Sequence, residues 1–219
     1  MALAFSPLYA FTGTFDGGQP YAGVYITSTG VLWGTAQVGG NLTACPNGCG
    51  VVWTYTPQLL QFATVHEFQG SDGAYPYAGI TEDSAGNFYG ATYGGGLAGC
   101  ADGCGLIYKI ASNGVFSIVH EFSGGRDGGE PISKVAFDAS GNLYGTTLAG
   151  GSGTGCGGAG CGVVYKSSST GNLSVLHAFT GGGDGGQPYA GVMPQGSVLY
   201  GTANVGGSGG AGVIFKAAQ

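Results

Sequence analysis

The chain has 219 residues, of which 50 are glycine, 12% are aromatic and only 7% are charged, with a formal net charge of −6. Many aromatic residues and little charge argue against a disordered chain, and glycine without a triplet period argues against collagen. The 5 basic residues are scattered, and no apolar stretch approaches the ~20 residues of a membrane helix. We therefore expect a compact β-rich domain that binds no nucleic acid and does not insert into a membrane.

The first predicted element is a lone strand at residues 8–12. The preceding residues, Met1 to Phe5, lack the basic region and cleavage site of a signal peptide, so we expect any export signal to lie outside this sequence. Three later segments match the lone strand, and each of the four contains an equivalent phenylalanine: Phe11, Phe68, Phe122 and Phe179. This repetition indicates a tandem repeat of about 55 residues.

Each repeat then runs through the same landmarks. An Asp-Gly pair comes first, and a proline follows it. Tyr-Ala-Gly comes next in three of the four repeats, and then an aromatic-Gly pair, a glycine-rich loop and an apolar strand. Hairpin turns with Gly-Asn connect the strands, and no stretch has a helical period. In the last repeat we expect strands at residues 189–192, 198–202 and 212–216, with the strand from the preceding hairpin at 173–180.

Four-stranded antiparallel units repeated at this spacing predict a four-bladed all-β propeller. Its units are approximately 13–68, 69–122, 123–180 and 181–219. We expect residues 8–12 to complete the last blade, which would hide both sheet edges. A β-solenoid is the alternative fold, although its coils are usually shorter, roughly 20–30 residues.

All six cysteines fall in close pairs within single repeats: Cys45 and Cys49, Cys100 and Cys104, Cys156 and Cys161. Zinc needs about four ligands at one point, whereas each pair belongs to a different blade. The pairs therefore predict three local disulfides and an oxidising compartment, either secreted or at the cell surface.

The repeated sequence pattern resembles a tandem repeat of exported bacterial proteins, the Gloverin-like or "GloVer" family. The resemblance is carried by four pieces of sequence: Phe-Thr-Gly, Asp-Gly-Gly-x-Pro-Tyr-Ala-Gly, Gly-Asn-Leu-Tyr-Gly-Thr-Thr and Gly-Val-Val-Tyr-Lys. The resemblance covers Leu8 to Lys216 and implies secretion or surface display. It carries over no catalytic residue. The third repeat departs from the pattern with Ile132-Ser133-Lys134, and the fourth lacks the cysteine pair.

Strand alternation places the Asp-Gly loops and the cysteine loops on one face, where we expect a ligand site. The aspartates at these turns form a candidate calcium ring: Asp16, Asp72, Asp127 and Asp184. Turn capping explains them better, because no second carboxylate accompanies each one. The three histidines, at positions 66, 120 and 177, are predicted to be hydrogen-bonded packing residues, and most tyrosines to be core. Tyr75 is the candidate for an exposed sugar contact.

One dense charge cluster stands out where the third repeat breaks the pattern: Arg126, Asp127, Glu130 and Lys134. Lys134 occupies a place where the other repeats carry glycine, so it needs a charged partner or a ligand. A ligand site and a pair of rim salt bridges are both open interpretations.

Three functions follow from these observations. The first is a non-catalytic extracellular module that binds carbohydrate or another surface partner, without a cofactor. The second is a structural or adhesive surface repeat. The third is a polysaccharide-active enzyme using Asp127 and Glu130, although no catalytic motif is present and two nearby carboxylates are a weak signal.

Overall fold

The computed structural model describes residues 5–219, which form fifteen β-strands and, within that range, no helix. Nothing in this range is therefore a helix that is long and apolar enough to cross a membrane. The first four residues, on which the expectation about the signal peptide partly rests, lie outside the described residues.

The strands form four antiparallel sheets, one in each repeat. The first sheet contains β1 (Tyr25–Ile26), β2 (Leu32–Ala36), β3 (Val51–Thr56) and β4 (Gln61–Glu67). The second contains β5 (Thr81–Glu82), β6 (Phe88–Thr92), β7 (Leu106–Ile110) and β8 (Phe116–Glu121). The third contains β9 (Ala136–Phe137), β10 (Leu143–Thr146), β11 (Val163–Ser167) and β12 (Leu173–Ala178). The last contains only β13 (Met193–Gln195), β14 (Val198–Ala203) and β15 (Val213–Ala218).

The predicted completion of the last sheet by residues 8–12 is wrong for the described chain. These residues form no strand, and β15 pairs only with β14. They lie instead on the first sheet, where the ring of Tyr9 stacks on Phe62 with 4.1 Å between centroids and Phe11 meets Trp53 edge-on. Aromatic packing on β3 and β4 holds the segment there.

The hydrophobic core lies between successive sheets. Val52 of β3 shares one buried cluster with Ile80 and Phe88 of the second repeat. The second and third junctions repeat this arrangement around Ile107 and Val164. Successive sheets are therefore stabilised by packing against each other.

The aromatic-Gly pairs have a packing reason. Gly90 of β6 lies opposite Tyr108 of β7, and a Cβ atom at Gly90 would overlap the tyrosine ring. The other three repeats show the same contact, between Gly34 and Trp53, Gly145 and Tyr165, and Gly201 and Phe215. Glycine lets the ring lie flat across its neighbouring strand, so the motif is a structural device.

Cysteine pairing and loop placement agree with the predictions. The disulfides join Cys45 to Cys49, Cys100 to Cys104 and Cys156 to Cys161. In each repeat an isolated antiparallel bridge ties the Asp-Gly loop to the glycine-rich loop, as between Ala74 and Gly94. The two loop types therefore share one side of the structure.

Candidate functional site

Each Asp-Gly aspartate is bonded to a side chain six or seven positions earlier in the chain. Asp72 Oδ2 lies 3.0 Å from His66 Nε2, and its other oxygen accepts a bond from the backbone N–H of Gln69 at 2.6 Å. The same pairing recurs between His120 and Asp127 at 3.2 Å, His177 and Asp184 at 2.9 Å, and Tyr9 and Asp16 at 2.8 Å. This confirms the predicted packing role of the histidines and the capping role of the aspartates.

The calcium ring is not formed. Within residues 5–219, no three His, Cys, Asp or Glu side chains come together as a metal site would require. Burial alone would raise the pKa of Asp72, but hydrogen bonds from His66 and the Gln69 N–H outweigh it and hold that pKa below its usual value. The pKa of Asp184 is lowered in the same way, against burial, by bonds from Thr180 and His177. These carboxylates are therefore held ionised by their own turns.

The Tyr-Ala-Gly segments do not lie on the inner strands. In the last repeat a strand was expected at residues 189–192, but β13 begins only at Met193. Tyr189 thus belongs to the preceding loop and is 54% exposed, and Tyr21 is 68% exposed. The assignment of these tyrosines to the core is wrong, because they lie in the loop before the first paired residues of their sheets.

These tyrosines instead line one cavity of about 470 Å³ that all four repeats share. Its walls are Tyr21, Tyr77, Tyr93, Ile132, Leu148 and Tyr189. The rings of Tyr21 and Tyr77 meet edge-on at 5.2 Å, and those of Tyr77 and Tyr93 at 5.7 Å. The Gln37 amide donates a hydrogen bond to the Tyr77 hydroxyl, which fixes the orientation of that ring. We call this cavity the tyrosine cavity.

A second cavity, of about 330 Å³, adjoins the first and shares Tyr77, Ile132 and Tyr189 with it. Its wall also includes Lys134 and the three glycines that stand at the equivalent position: Gly23, Gly79 and Gly191. The Lys134 ammonium lies 5.6 Å from the centroid of the Tyr25 ring. A cation is thus placed beside the tyrosine cavity, with an aromatic face on one side of it.

The predicted charge cluster is not assembled as a unit. The Asp127 carboxylate is bonded to His120 and Ser123, and Arg126 is exposed beside another cavity lined by Leu173 and Val175. In the described part of the chain, the ion pairs are those between histidine and aspartate, and none joins Arg126 or Lys134 to a carboxylate. The rim salt bridges are therefore not formed, and Lys134 lines a cavity that all four repeats share.

The residue before the proline has the same unusual backbone in every repeat. Tyr75 has a φ of 57°, and Gln19, Glu130 and Gln187 have values of 55°, 57° and 50°. This left-handed conformation costs a non-glycine residue about 1–3 kcal/mol. The N–H of Tyr75 donates to the Cys49 carbonyl at 2.8 Å, so the disulfide loop of one repeat fixes this residue in the next. The half-buried Tyr75 ring packs against the core between the first two sheets, unlike the exposed contact predicted for it.

Glu130 occupies that position in the third repeat and borders the tyrosine cavity through Tyr93. Burial raises the pKa of Glu130, and the negative charge of Asp102 raises it further, while a hydrogen bond from Tyr93 acts against both. Burial likewise raises the pKa of the Tyr93 hydroxyl, and the charges of Glu130 and Asp102 add to that effect. The site therefore combines aromatic rings with one carboxyl group and one amide near its rim.

The sequence signal for the cavity was the threefold recurrence of Tyr-Ala-Gly directly after a proline. Proline cannot donate to a sheet ladder, so residues next to it commonly stand at a strand end. Tyr93, by contrast, lies in a loop with no recurrent aromatic, so only the folded chain reveals its place in the wall.

Among solved structures, a luciferin-regenerating enzyme matches 90% of this chain and 60% of its own, at 14% identity and a TM-score of 0.52. TolB from Acinetobacter baumannii matches 97% of this chain and 45% of its own, at 15% identity and a TM-score of 0.48. The tricorn protease matches 85% of this chain and 16% of its own, at 11% identity and a TM-score of 0.48. At these identities the likeness to the first of them shows the fold alone, which is propeller-like. This chain spans at most about 60% of the length of these proteins.

No curated protein sequence matches this chain. The sequence model of a family described as the Gloeobacter/Verrucomicrobia repeat matches residues 2–155 and 97–219. A tandem-repeat family is therefore confirmed, while the label "Gloverin-like" is not.

Proposed function

This chain belongs to the Gloeobacter/Verrucomicrobia repeat family, and on that premise we propose that it is an extracellular propeller module with four blades, one for each repeat, which binds carbohydrate without transforming it. The ligand lies in the tyrosine cavity. Four antiparallel sheets around a shared cavity and a propeller-like structural neighbour support the architecture. Three disulfides support a place outside the cell, because such bonds persist in oxidising compartments.

The observation that carries this proposal is the convergence of four tyrosines from three repeats on one cavity. Each sugar ring has apolar C–H faces and a polar rim, and a tyrosine ring offers an apolar face with a hydroxyl at its tip. Two of the tyrosines, Tyr21 and Tyr189, are more than half exposed, which is unusual for aromatic rings that serve only packing. A volume of about 470 Å³ lies within the range of ordinary ligand pockets.

Polar groups around the tyrosine rings can orient a bound saccharide. The Gln37 amide and the Glu130 carboxyl approach the hydroxyls of Tyr77 and Tyr93, and sugar hydroxyls can donate to or accept from such groups. Lys134 adds a positive charge on the adjoining wall. A saccharide that carries a carboxylate would gain a charge-assisted bond there, and a neutral one would not.

The test is calorimetric titration of the chain with a panel of neutral and uronate-containing oligosaccharides. We expect binding that weakens about tenfold in Tyr21→Ala and in Tyr189→Ala, because one aromatic contact contributes roughly 0.5–1.5 kcal/mol beyond its buried area. Phe15→Ala is the matched control, because Phe15 is also 68% exposed but does not line the cavity. A panel without any binder, or equal affinities in all three variants, would contradict the proposal.

The raised pKa of Glu130 favours one alternative, a polysaccharide-active enzyme in which Glu130 acts as the general acid. Incubation followed by mass spectrometry of the oligosaccharides separates the two functions. We expect every bound oligosaccharide to be recovered intact. Cleavage products that disappear in Glu130→Gln would replace the binding module with an enzyme.

A further inference from the structure

The last sheet has a face that no other part of the described chain covers. Ile214 of β15 is 86% exposed. The residues at the same position in the third strand of the other sheets are fully buried: Val52, Ile107 and Val164. Each of those three packs against the sheet of the following repeat. Ile214 has no following sheet within residues 5–219, so an apolar face stays in water.

The same sheet also has an open edge. β11 pairs with β10 and β12, whereas β15 pairs with β14 alone. A groove of about 550 Å³ runs beside β15 and is lined on its other side by His177 and Phe179. The His177 side chain is 41% exposed, against 18% for His66 and 20% for His120. An unpaired strand edge of this kind is a template for another strand.

The chain contains a segment with the sequence of the missing strand. Residues 5–11 read Phe-Ser-Pro-Leu-Tyr-Ala-Phe, and residues 116–122 of the second sheet read Phe-Ser-Ile-Val-His-Glu-Phe. Residues 173–179 of the third sheet read Leu-Ser-Val-Leu-His-Ala-Phe. The proline at position 7 fits a fourth strand, because that strand is the outer edge of its sheet.

The contacts of this segment also match those of a fourth strand. Tyr9 stacks on Phe62 at 4.1 Å, as His66 stacks on Phe116 at 3.7 Å. Phe11 meets Trp53 edge-on at 5.6 Å, and the equivalent Phe68 meets Tyr108 at 5.3 Å. The segment thus sits on the first sheet as the fourth strand of one sheet sits on the next.

We propose that the last sheet takes residues 5–12 of a second copy of this chain as its fourth strand. The segment stays on the first sheet of its own copy and at the same time pairs with β15 of the other. The first sheet of one copy then covers Ile214 of the other, which continues the stacking of sheets across the junction.

The register follows from the third sheet, where Val164 pairs with His177 and Lys166 with Ser174. In the same register Ile214 lies opposite Tyr9, and Lys216 opposite Ser6. Phe5 then reaches His177 as Phe116 reaches His66. Phe5 is 96% exposed in the single chain, so the junction buries it.

A second copy is the occupant that we choose, because its residues 5–12 have the sequence of a fourth strand and those of the same copy do not pair with β15. No backbone hydrogen bond joins residues 5–12 to β15 in the structure as described. Each copy has one receiving end and one donating end, so the interface is head-to-tail and produces a ring or a filament.

The first test is the molar mass of the 219-residue chain by analytical ultracentrifugation over a range of concentrations. We expect species heavier than 21.5 kDa that grow with concentration. Ile214→Lys should weaken association at least tenfold while the melting temperature of the dilute protein is unchanged. Leu59→Lys is the matched control, because Leu59 is 69% exposed on the hairpin of the first sheet. A mass of one chain at every concentration would overturn the proposal.

The second test joins the two strands covalently. Antiparallel partners lie about 4.5–5.5 Å apart at Cα, within the reach of a disulfide. Mixing Ser6→Cys with Lys216→Cys should give a cross-linked dimer, and mixing Ser84→Cys with Lys216→Cys should not, since Ser84 lies in the turn between β5 and β6 of the second sheet. The double variant Ser6→Cys/Lys216→Cys should form ladders. If it forms only a closed single chain, the segment completes its own last sheet and the proposal is wrong.

Discussion

The second and last sheets have nearly the same sequence pattern but different surroundings. In β7 four of the five residues are buried, whereas the equivalent strand β15 alternates between half-buried and exposed positions. Within residues 5–219, the second sheet lies between two neighbouring sheets and the last sheet has one. Burial in this molecule is therefore a property of the junction between repeats more than of the strand itself.

The largest test of this comparison is a pair of matched truncations. We expect Ile107→Ala to lower the free energy of unfolding by about 2–5 kcal/mol, because it leaves a cavity between the second and third sheets. Ile214→Ala should change it by less than about 0.5 kcal/mol in the monomer. Urea melts of dilute protein measure both. Equal losses would mean that the last sheet is covered even in a single chain.

Reduction of the disulfides should also affect the first three sheets more than the last one. Each bond closes a loop of only a few residues, for which the chain-entropy model gives about 2 kcal/mol. The oxidised chain should be about 6 Da lighter than the reduced one, two hydrogens for each bond. Hydrogen exchange should then rise in the loops before β3, β7 and β11. A rise centred on the last sheet, which has no disulfide, would contradict this expectation.

A smaller effect concerns acid. The pKa of Asp72 is below its ordinary value of 3.8 in the folded chain, so its ionised form stabilises the fold above that pH. This contribution should be lost as the pH falls from about 4 through the depressed pKa. Asp72→Asn should remove about 1 kcal/mol at neutral pH and flatten that part of the profile of melting temperature against pH. An unchanged profile would show that the turn does not depend on the negative charge of Asp72.

The smallest expected change is that of Lys134→Gly, which restores the residue of the other repeats. Lys134 is exposed and has no ion pair within the described residues, so stability should stay within about 0.5 kcal/mol. Affinity for uronate-containing oligosaccharides should fall, and affinity for neutral ones should not. A clear loss of stability would instead give Lys134 a structural role.

Features that depend on neighbouring residues could be predicted from the sequence. The cysteine pairs and the capping of the Asp72 turn involve residues at most six positions apart, so their spacing was sufficient to predict them. The repeat itself supplied the number of sheets. Features set by contacts between repeats could not be predicted in this way. Tyr21 meets Tyr77 over 56 positions, and nothing in the spacing of Tyr-Ala-Gly tells a core ring from a cavity wall.

The placement of residues 8–12 shows the same limit. Their sequence matches that of the fourth strands, but the segment forms no strand and packs on the first sheet, because a pattern does not say which sheet a segment will contact. Likewise Arg126 and Lys134 are close in sequence, yet the chain between them turns from the outer loop to the shared cavity. Their proximity in sequence suggested one charge cluster, but the fold places the two residues at separate cavities.

The hydrogen bond from Tyr75 to the Cys49 carbonyl gives the molecule a direction. It recurs from Glu130 to Cys104 and from Gln187 to Cys161, so each disulfide loop braces the repeat after its own. A repeat moved to the first position would therefore lose this bond, because no disulfide loop precedes that position within the described chain. The fourth repeat, which no further repeat follows within the described chain, carries Ala211 where the others have their second cysteine. Each of the three disulfide loops thus constrains the backbone of the repeat that follows it.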